Sequence, residues 1–185
     1  MTAVTAFCGA FSGCRPVHLA AAAAFGRAVA DAGLDLVYGG ASVGLMGAMA
    51  DAALRGGARV VGVIPQHLAD HEIAHTGLTE LRIVADMHAR KAMMAELGDA
   101  FVALPGGLGT AEEFFEALTW AQLGIHRKPC ALLDTDGFYR PLLTFLSHAA
   151  DEGFVARQDI ENIIVEARPG GLLAQLTARL TYEYG

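Results

Sequence analysis

An α/β fold with a doubly wound, mostly parallel sheet and helices on both faces is what the sequence predicts. Three observations carry this. Strand-like and helix-like segments alternate from one end of the 185 residues to the other. The strand-like segments are continuous apolar runs rather than alternating ones, the pattern of strands buried on both faces. Several of these runs end in glycine-rich turns that open directly into a helical pattern, as right-handed βαβ units require.

The elements follow in order. Residues 4–8 form a first strand, ending in the turn Gly9-Ala10-Phe11-Ser12-Gly13. Pro16, suited to a first helical turn, opens a helix over residues 16–31 that Gly33 stops. Further strands are expected at residues 36–38, 59–64, 81–84, 99–104, 130–133 and 163–165. Helices are expected at about residues 43–54, 87–97, 110–123, 139–152 and 170–180. Residues 66–79 show no period and read as a long functional loop. The length suits one domain with a full core, here residues 1–185, and no linker or repeat divides it.

Composition excludes several classes. The net charge of −7 argues against a nucleic-acid binder, which carries a basic face. No apolar run reaches the roughly 20 residues of a membrane span, and the N-terminus lacks the basic and apolar regions of a secretory signal. Cys8, Cys14 and Cys130 match no zinc spacing and read as free thiols of a reducing, cytoplasmic compartment, with Cys8 and Cys130 packed in the core. His67, His71 and His75 recur every four residues, but Pro65 and Gly77 bound the segment and nothing else in it is periodic. The reading is therefore no metal.

In open sheets of this kind, ligands bind outside the carboxyl ends of the strands. Two turns there stand out. Leu104-Pro105-Gly106-Gly107-Leu108-Gly109-Thr110 follows an apolar run and opens a helix. Its glycines expose consecutive N–H groups at a helix N-terminus, a natural phosphate cradle. It is not a P-loop, because no lysine follows the last glycine. A capping box between Thr110 and Glu113 is the plainer alternative, but three glycines in four positions exceed what capping needs. The second turn, Tyr38-Gly39-Gly40-Ala41-Ser42-Val43-Gly44, reads either as a backbone approach to a ligand or as close helix-to-sheet packing. Arg90 and Lys91 near a helix start oppose the helix dipole unless an anion is nearby. Glu112, Glu113 and Glu116 cluster on the first turns of the glycine-loop helix. They could be ordinary N-terminal acids, or a carboxylate facing a ribose hydroxyl or an attacking water.

Together these motifs resemble the LOG family of cytokinin riboside 5′-monophosphate phosphoribohydrolases, Rossmann-like proteins once labelled lysine decarboxylases. The family pattern PGGxGTxxE stands at Pro105–Glu113 without departure, joined by Asp86-Met87-His88-Ala89-Arg90-Lys91, Gly44-Leu45-Met46-Gly47 and Thr119-Trp120-Ala121-Gln122-Leu123-Gly124-Ile125-His126. Ala10-Phe11 and Ala41 depart from the family's usual serines and third glycine. The resemblance implies a hydrolase, an N-glycosidase cleaving a purine (cytokinin-type or AMP) riboside 5′-monophosphate to free base and ribose 5-phosphate. It implies an oxocarbenium-like transition state and no metal or redox cofactor. Arg90 and Glu113 match the family's catalytic pair. Gly9, Gly39, Gly40, Glu72, Met87, Lys91, Gly106, Gly107, Leu108, Gly109, Thr110, Glu112, Glu116 and Thr119 are the substrate-side positions. The resemblance also implies a homodimer or higher homo-oligomer. A non-catalytic carrier of nucleotide or molybdopterin-type cofactor on the same fold is the alternative. A carrier needs the phosphate turn but not the pairing of Arg90 with Glu113. A dinucleotide oxidoreductase is disfavoured, because the first turn lacks G-x-G-x-x-G and the second run ends in Tyr38-Gly39 rather than an acid.

Overall fold

The computed structural model describes residues 1–69 and 73–184. It contains seven parallel strands in one sheet, in the order β4-β3-β2-β1-β5-β6-β7. The strands are β1 (Ala3–Phe7), β2 (Asp35–Tyr38), β3 (Val60–Pro65), β4 (Glu80–Val84), β5 (Ala100–Ala103), β6 (Cys130–Leu133) and β7 (Ile164–Glu166). The chain winds outward from β1 to β4, returns across the sheet to set β5 against the other side of β1, and winds outward again. The neighbours β1 and β5 therefore carry their following turns to opposite sides. That is the switch point where a crevice opens at the carboxyl ends.

The central strands feed two core layers, which explains their unbroken apolar runs. Val4, Leu36, Val102 and Leu133 point to one face, against α1 (Pro16–Asp31), α2 (Gly44–Arg55) and α8 (Pro169–Tyr184). Phe7, Val37, Phe101 and Leu132 point to the other, against α4 (Met87–Leu97), α5 (Leu108–Gln122) and α6 (Arg140–Asp151). The alanine richness is used where α1 crosses α2: a Cβ on Gly26 would lie 2.1 Å from the Met49 carbonyl oxygen.

Three local readings are corrected. The expected loop at 66–79 opens with a short helix, α3 (Gln66–Ala69). Its later part is tied to the turn after β2: Ser42 N–H donates to Ile73 O and His75 N–H donates to Gly40 O, both at 2.8 Å. Helix α5 starts at Leu108, two residues before the expected position, because Gly107 already serves as its N-cap without any side-chain bond. Thr110 is thus inside the helix and forms no capping box. Two elements escaped the sequence: α7 (Arg157–Glu161) and a 3₁₀ turn at Thr135–Gly137, both too short to show a period. Two of the three regularly spaced histidines fall within the described residues. His67 lies on α3, His75 pairs with Asp51 at 3.0 Å, and His71 lies outside the described residues.

Candidate active site

The turns after β1, β2 and β5 meet at the switch point. Gly9 N–H donates to Pro105 O and Leu45 N–H donates to Gly9 O, both at 3.1 Å, so the three turns are hydrogen-bonded into one rim. They enclose a cavity of about 600 Å³, whose wall includes Gly9, Gly39, Met87, Arg90, Glu113 and the whole stretch 105–110. Phe11 and Leu108 stand at its mouth, 87% and 91% exposed.

Helix α5 presents its N-terminus to this cavity. Its first intrahelical bond runs from Ala111 N–H to Gly107 O, so the N–H groups of residues 107–110 have no acceptor within the helix. A Cβ on Gly107 or Gly109 would meet nothing within 4 Å. Gly106 differs: a Cβ there would lie 2.1 Å from Thr110 Oγ1.

Beside this turn sits a buried ion pair. Arg90 Nη2 lies 3.3 Å from Glu113 Oε1, with the two side chains 10% and 7% exposed. Arg90 comes from α4, which Asp86 caps by accepting the Ala89 N–H at 2.8 Å. The far end of α4 is held by Lys128, whose Nζ donates to Ala95 O at 2.5 Å and Gly98 O at 2.6 Å. The guanidinium fits only because residue 39 is glycine. A Cβ there would lie 2.1 Å from Arg90 Nη2. Arg90 Nη1 reaches Met87 Sδ at 3.5 Å, while the buried Nε has no acceptor among the described residues. Burial lifts the Glu113 carboxyl above its ordinary range. Arg90 and Lys91 pull it down, and Glu112 and Glu116 add to the rise. Burial likewise pushes the Cys8 thiol, in the same wall, far above its usual value. A buried carboxylate held against a guanidinium, one helical turn from free N–H groups, can face an anion and a developing cation at once.

The family model described as "possible lysine decarboxylase" matches residues 46–176. A cytokinin riboside 5′-monophosphate phosphoribohydrolase of Rhodococcoides fascians is 59% identical over 163 residues, covering 88% of this chain and 82% of that protein. The Arabidopsis thaliana protein of the same name, LOG7, is 52% identical over 164 residues, covering 89% and 75%. This chain belongs to the LOG family. A solved structure of the molybdenum cofactor carrier protein from Chlamydomonas reinhardtii superposes with a TM-score of 0.74 at 23% identity, covering 98% of each chain, a likeness of fold.

The residues that the LOG resemblance singles out do not all meet in one place. Gly9, Gly39, Met87, Arg90, Gly106, Gly107, Leu108, Gly109, Thr110 and Glu113 line the cavity. Gly40 sits behind it, against Ile64 and Leu81. Lys91, Glu112 and Glu116 form a cluster of their own (Lys91 Nζ to Glu116 Oε1, 3.1 Å), so both cations of α4 find their anions on α5. Thr119 lines a second cavity of about 490 Å³ between α5 and α7, and its Oγ1 donates to Phe115 O at 2.7 Å. Glu72 lies outside the described residues. Sequence reasoning named no site role for Cys8, His18, Ile64, Ile73 and Phe138, which also line this cavity, and reached Met46 only as part of the motif at residues 44–47. Position at the end of a strand flags Cys8 and Ile64. Nothing local flags His18 or Phe138, which meet edge to face, ring centroids 5.6 Å apart, from elements far apart in the chain.

Proposed function

We propose that this LOG-family chain hydrolyses the N-glycosidic bond of a purine riboside 5′-monophosphate, releasing free base and ribose 5-phosphate. The buried Arg90–Glu113 pair, in the wall of the same cavity as the α5 turn, carries the reading. The 5′-phosphate lies on the N–H groups of residues 107–110, where the helix N-terminus favours an anion. Glu113 stabilises the positive charge that develops as the C1′–N9 bond breaks, and takes a proton from the water that adds to C1′. The departing base leaves with the bonding electrons and takes a proton from solvent, and Glu113 returns the water's proton to solvent, which restores the carboxylate. Burial raises the Glu113 carboxyl and so makes the carboxylate a better base than a free one, while Arg90 opposes that rise. Arg90, whose side chain lines the cavity, orients the ribose phosphate.

The names of the Rhodococcoides and Arabidopsis relatives support a cytokinin riboside 5′-monophosphate as substrate, and AMP is its unprenylated analogue. The apolar residues Ile64, Leu68, Ile73 and Met46 in the cavity wall suit a base with an apolar N6 substituent. Incubation with AMP and with its N6-prenyl form, followed by chromatography, should show free base. Adenosine should bind at least tenfold more weakly than AMP. No base from either nucleotide would overturn the reading.

The reading extends to assembly and compartment. Leu123, Ile125, Phe145 and Phe154 are exposed on and beyond α5 and α6, and suit burial in a homodimer or larger homo-oligomer. Sedimentation velocity tests that. Cys14, an exposed free thiol, suits the reducing cytoplasm.

A further inference from the structure

Arg90 and Lys91 are neighbours on α4 but serve different faces, because consecutive helical residues diverge by about 100°. Arg90 turns into the cavity. Lys91 is equally buried, 9% exposed, yet is absent from the cavity wall. It borders a small cleft with Phe7, Phe101, Glu116 and Trp120, which Glu113 reaches from the cavity side. Its ammonium donates to Glu112 Oε1 and, at 3.1 Å, to Glu116 Oε1. Helix α5 shows the matching division. Glu113 turns to the cavity, and Glu112 and Glu116, spaced i and i+4, share the other face. Burial pulls the Lys91 ammonium down, but its bonds to Glu112 and Glu116 outweigh this and leave it above its ordinary value. A phosphate would have to displace two carboxylates to reach it.

We propose that Lys91 is a positioning residue: by holding Glu112 and Glu116 it locks α4 onto α5 and sets the Arg90–Glu113 pair in the cavity, without touching substrate. The inference rests on the phosphoribohydrolase reading of that cavity. It has an electrostatic consequence. The charged or titratable groups facing Glu113 are Arg90 and Lys91 from α4, Glu112 and Glu116 from α5, and the Cys8 thiol at the end of β1. Removing the Lys91 charge leaves Glu112 and Glu116 unopposed. Glu113 then protonates at higher pH, and the acid limb of turnover moves up.

The test is Lys91→Met in the full chain, with kcat and KM for AMP followed across pH. The limb should rise by about one unit, lowering kcat about tenfold on its acid side, with KM within about twofold of wild type. Adding Glu112→Gln and Glu116→Gln should return the limb toward its wild-type position. A tenfold rise in KM with an unmoved limb would make Lys91 a substrate ligand and overturn the proposal. If Lys91→Met does not fold, the Glu112→Gln/Glu116→Gln variant with Lys91 intact should lower the limb, and an unmoved limb there is equally decisive against it. A crystal structure of a Lys91 variant needs no activity. The Arg90–Glu113 separation, 3.3 Å here, should open. Failure of the wild-type chain to release base would count against the function, while that separation would still judge the positioning role.

Discussion

The two glycine turns of the rim resemble each other in sequence and do opposite work. In the turn after β2, glycine makes room for the protein itself. A Cβ on Gly39 would strike Arg90, and in the first turn of α2, which this turn opens, one on Gly47 would lie 2.1 Å from the Ser42 carbonyl oxygen. In the turn after β5, Gly107 and Gly109 face open space, neither has a positive φ, and neither is demanded by the packing of the chain. The first turn seats a guanidinium; the second leaves helix N–H groups accessible. Counting glycines cannot separate these uses, but asking what a methyl group would touch does.

The two halves meet at Arg90 and Glu113, so the largest effect is expected there. Glu113→Gln should lower turnover by two or more orders of magnitude while AMP affinity stays within about tenfold, about 1.4 kcal/mol. Glutamine is nearly isosteric, and the change leaves alone the N–H groups of residues 107–110, the proposed phosphate site. What is lost is the charge felt mainly in an oxocarbenium-like transition state. The acid limb of kcat, placed above the ordinary carboxylate range by burial, should vanish with it. Wild-type base release from Glu113→Gln would move the catalytic role to another carboxylate.

Gly39→Ala should come next. The methyl displaces a flexible tip rather than backbone, so the fold survives, but Arg90 must leave its seat. A loss of about tenfold or more in kcat/KM is expected with little change in melting temperature. Gly47→Ala, where the obstacle is a backbone oxygen, should show the reverse balance, with about 1–3 kcal/mol lost in stability. Equal behaviour of the two would erase the distinction between seat and packing.

Much of this was legible in the residues. The unbroken runs Arg59–Ile64 and Asp99–Leu104 announced strands buried on both faces, and the glycines after them announced the rim. The direction of each helical side chain was not legible to the same degree. By spacing alone, Glu113 and Glu116, three apart on a helix, would share a face. Yet Glu113 is drawn to Arg90 while Lys91 joins Glu116 to Glu112, because the partners on α4 decide the grouping. The adjacent cations read as waiting for an anionic ligand, and the anions proved to be the chain's own carboxylates. Such pairings are tertiary and leave no trace in local spacing. Glu72, named from the family pattern, lies beyond what the structure describes.

On the ligand side of the comparison, Gly107→Ala and Gly109→Ala should spare the fold. Gly109→Ala lies within the first turn of α5 and should raise stability by about 0.5–1 kcal/mol, since alanine is the better helix former and nothing obstructs its methyl. The cost should fall on nucleotide approach: KM for AMP up about tenfold, kcat held within about twofold, as when uniform binding is lost. Unchanged KM in both variants would mean that the phosphate does not lie on this turn.

The smallest effect is expected at Thr119. The family pattern puts a threonine near substrate there, but within one copy of the chain Thr119 lines a different cavity. Thr119 is nine residues beyond Thr110 on the same helix, about 13.5 Å along its axis. Its hydroxyl is engaged by Phe115 O, and it borders the cavity between α5 and α7 rather than the one lined by Arg90 and Glu113. Thr119→Ala should therefore leave KM and kcat for AMP within about twofold of wild type. The exposed Leu123 and Ile125 just beyond it sharpen the measurement. If this end of α5 packs against a second copy, a threonine could enter the partner's cavity from outside. A tenfold rise in KM for Thr119→Ala would then mean that the cavity is completed across an interface. Diluting the enzyme toward the monomer would check that by reproducing the same rise in the wild type.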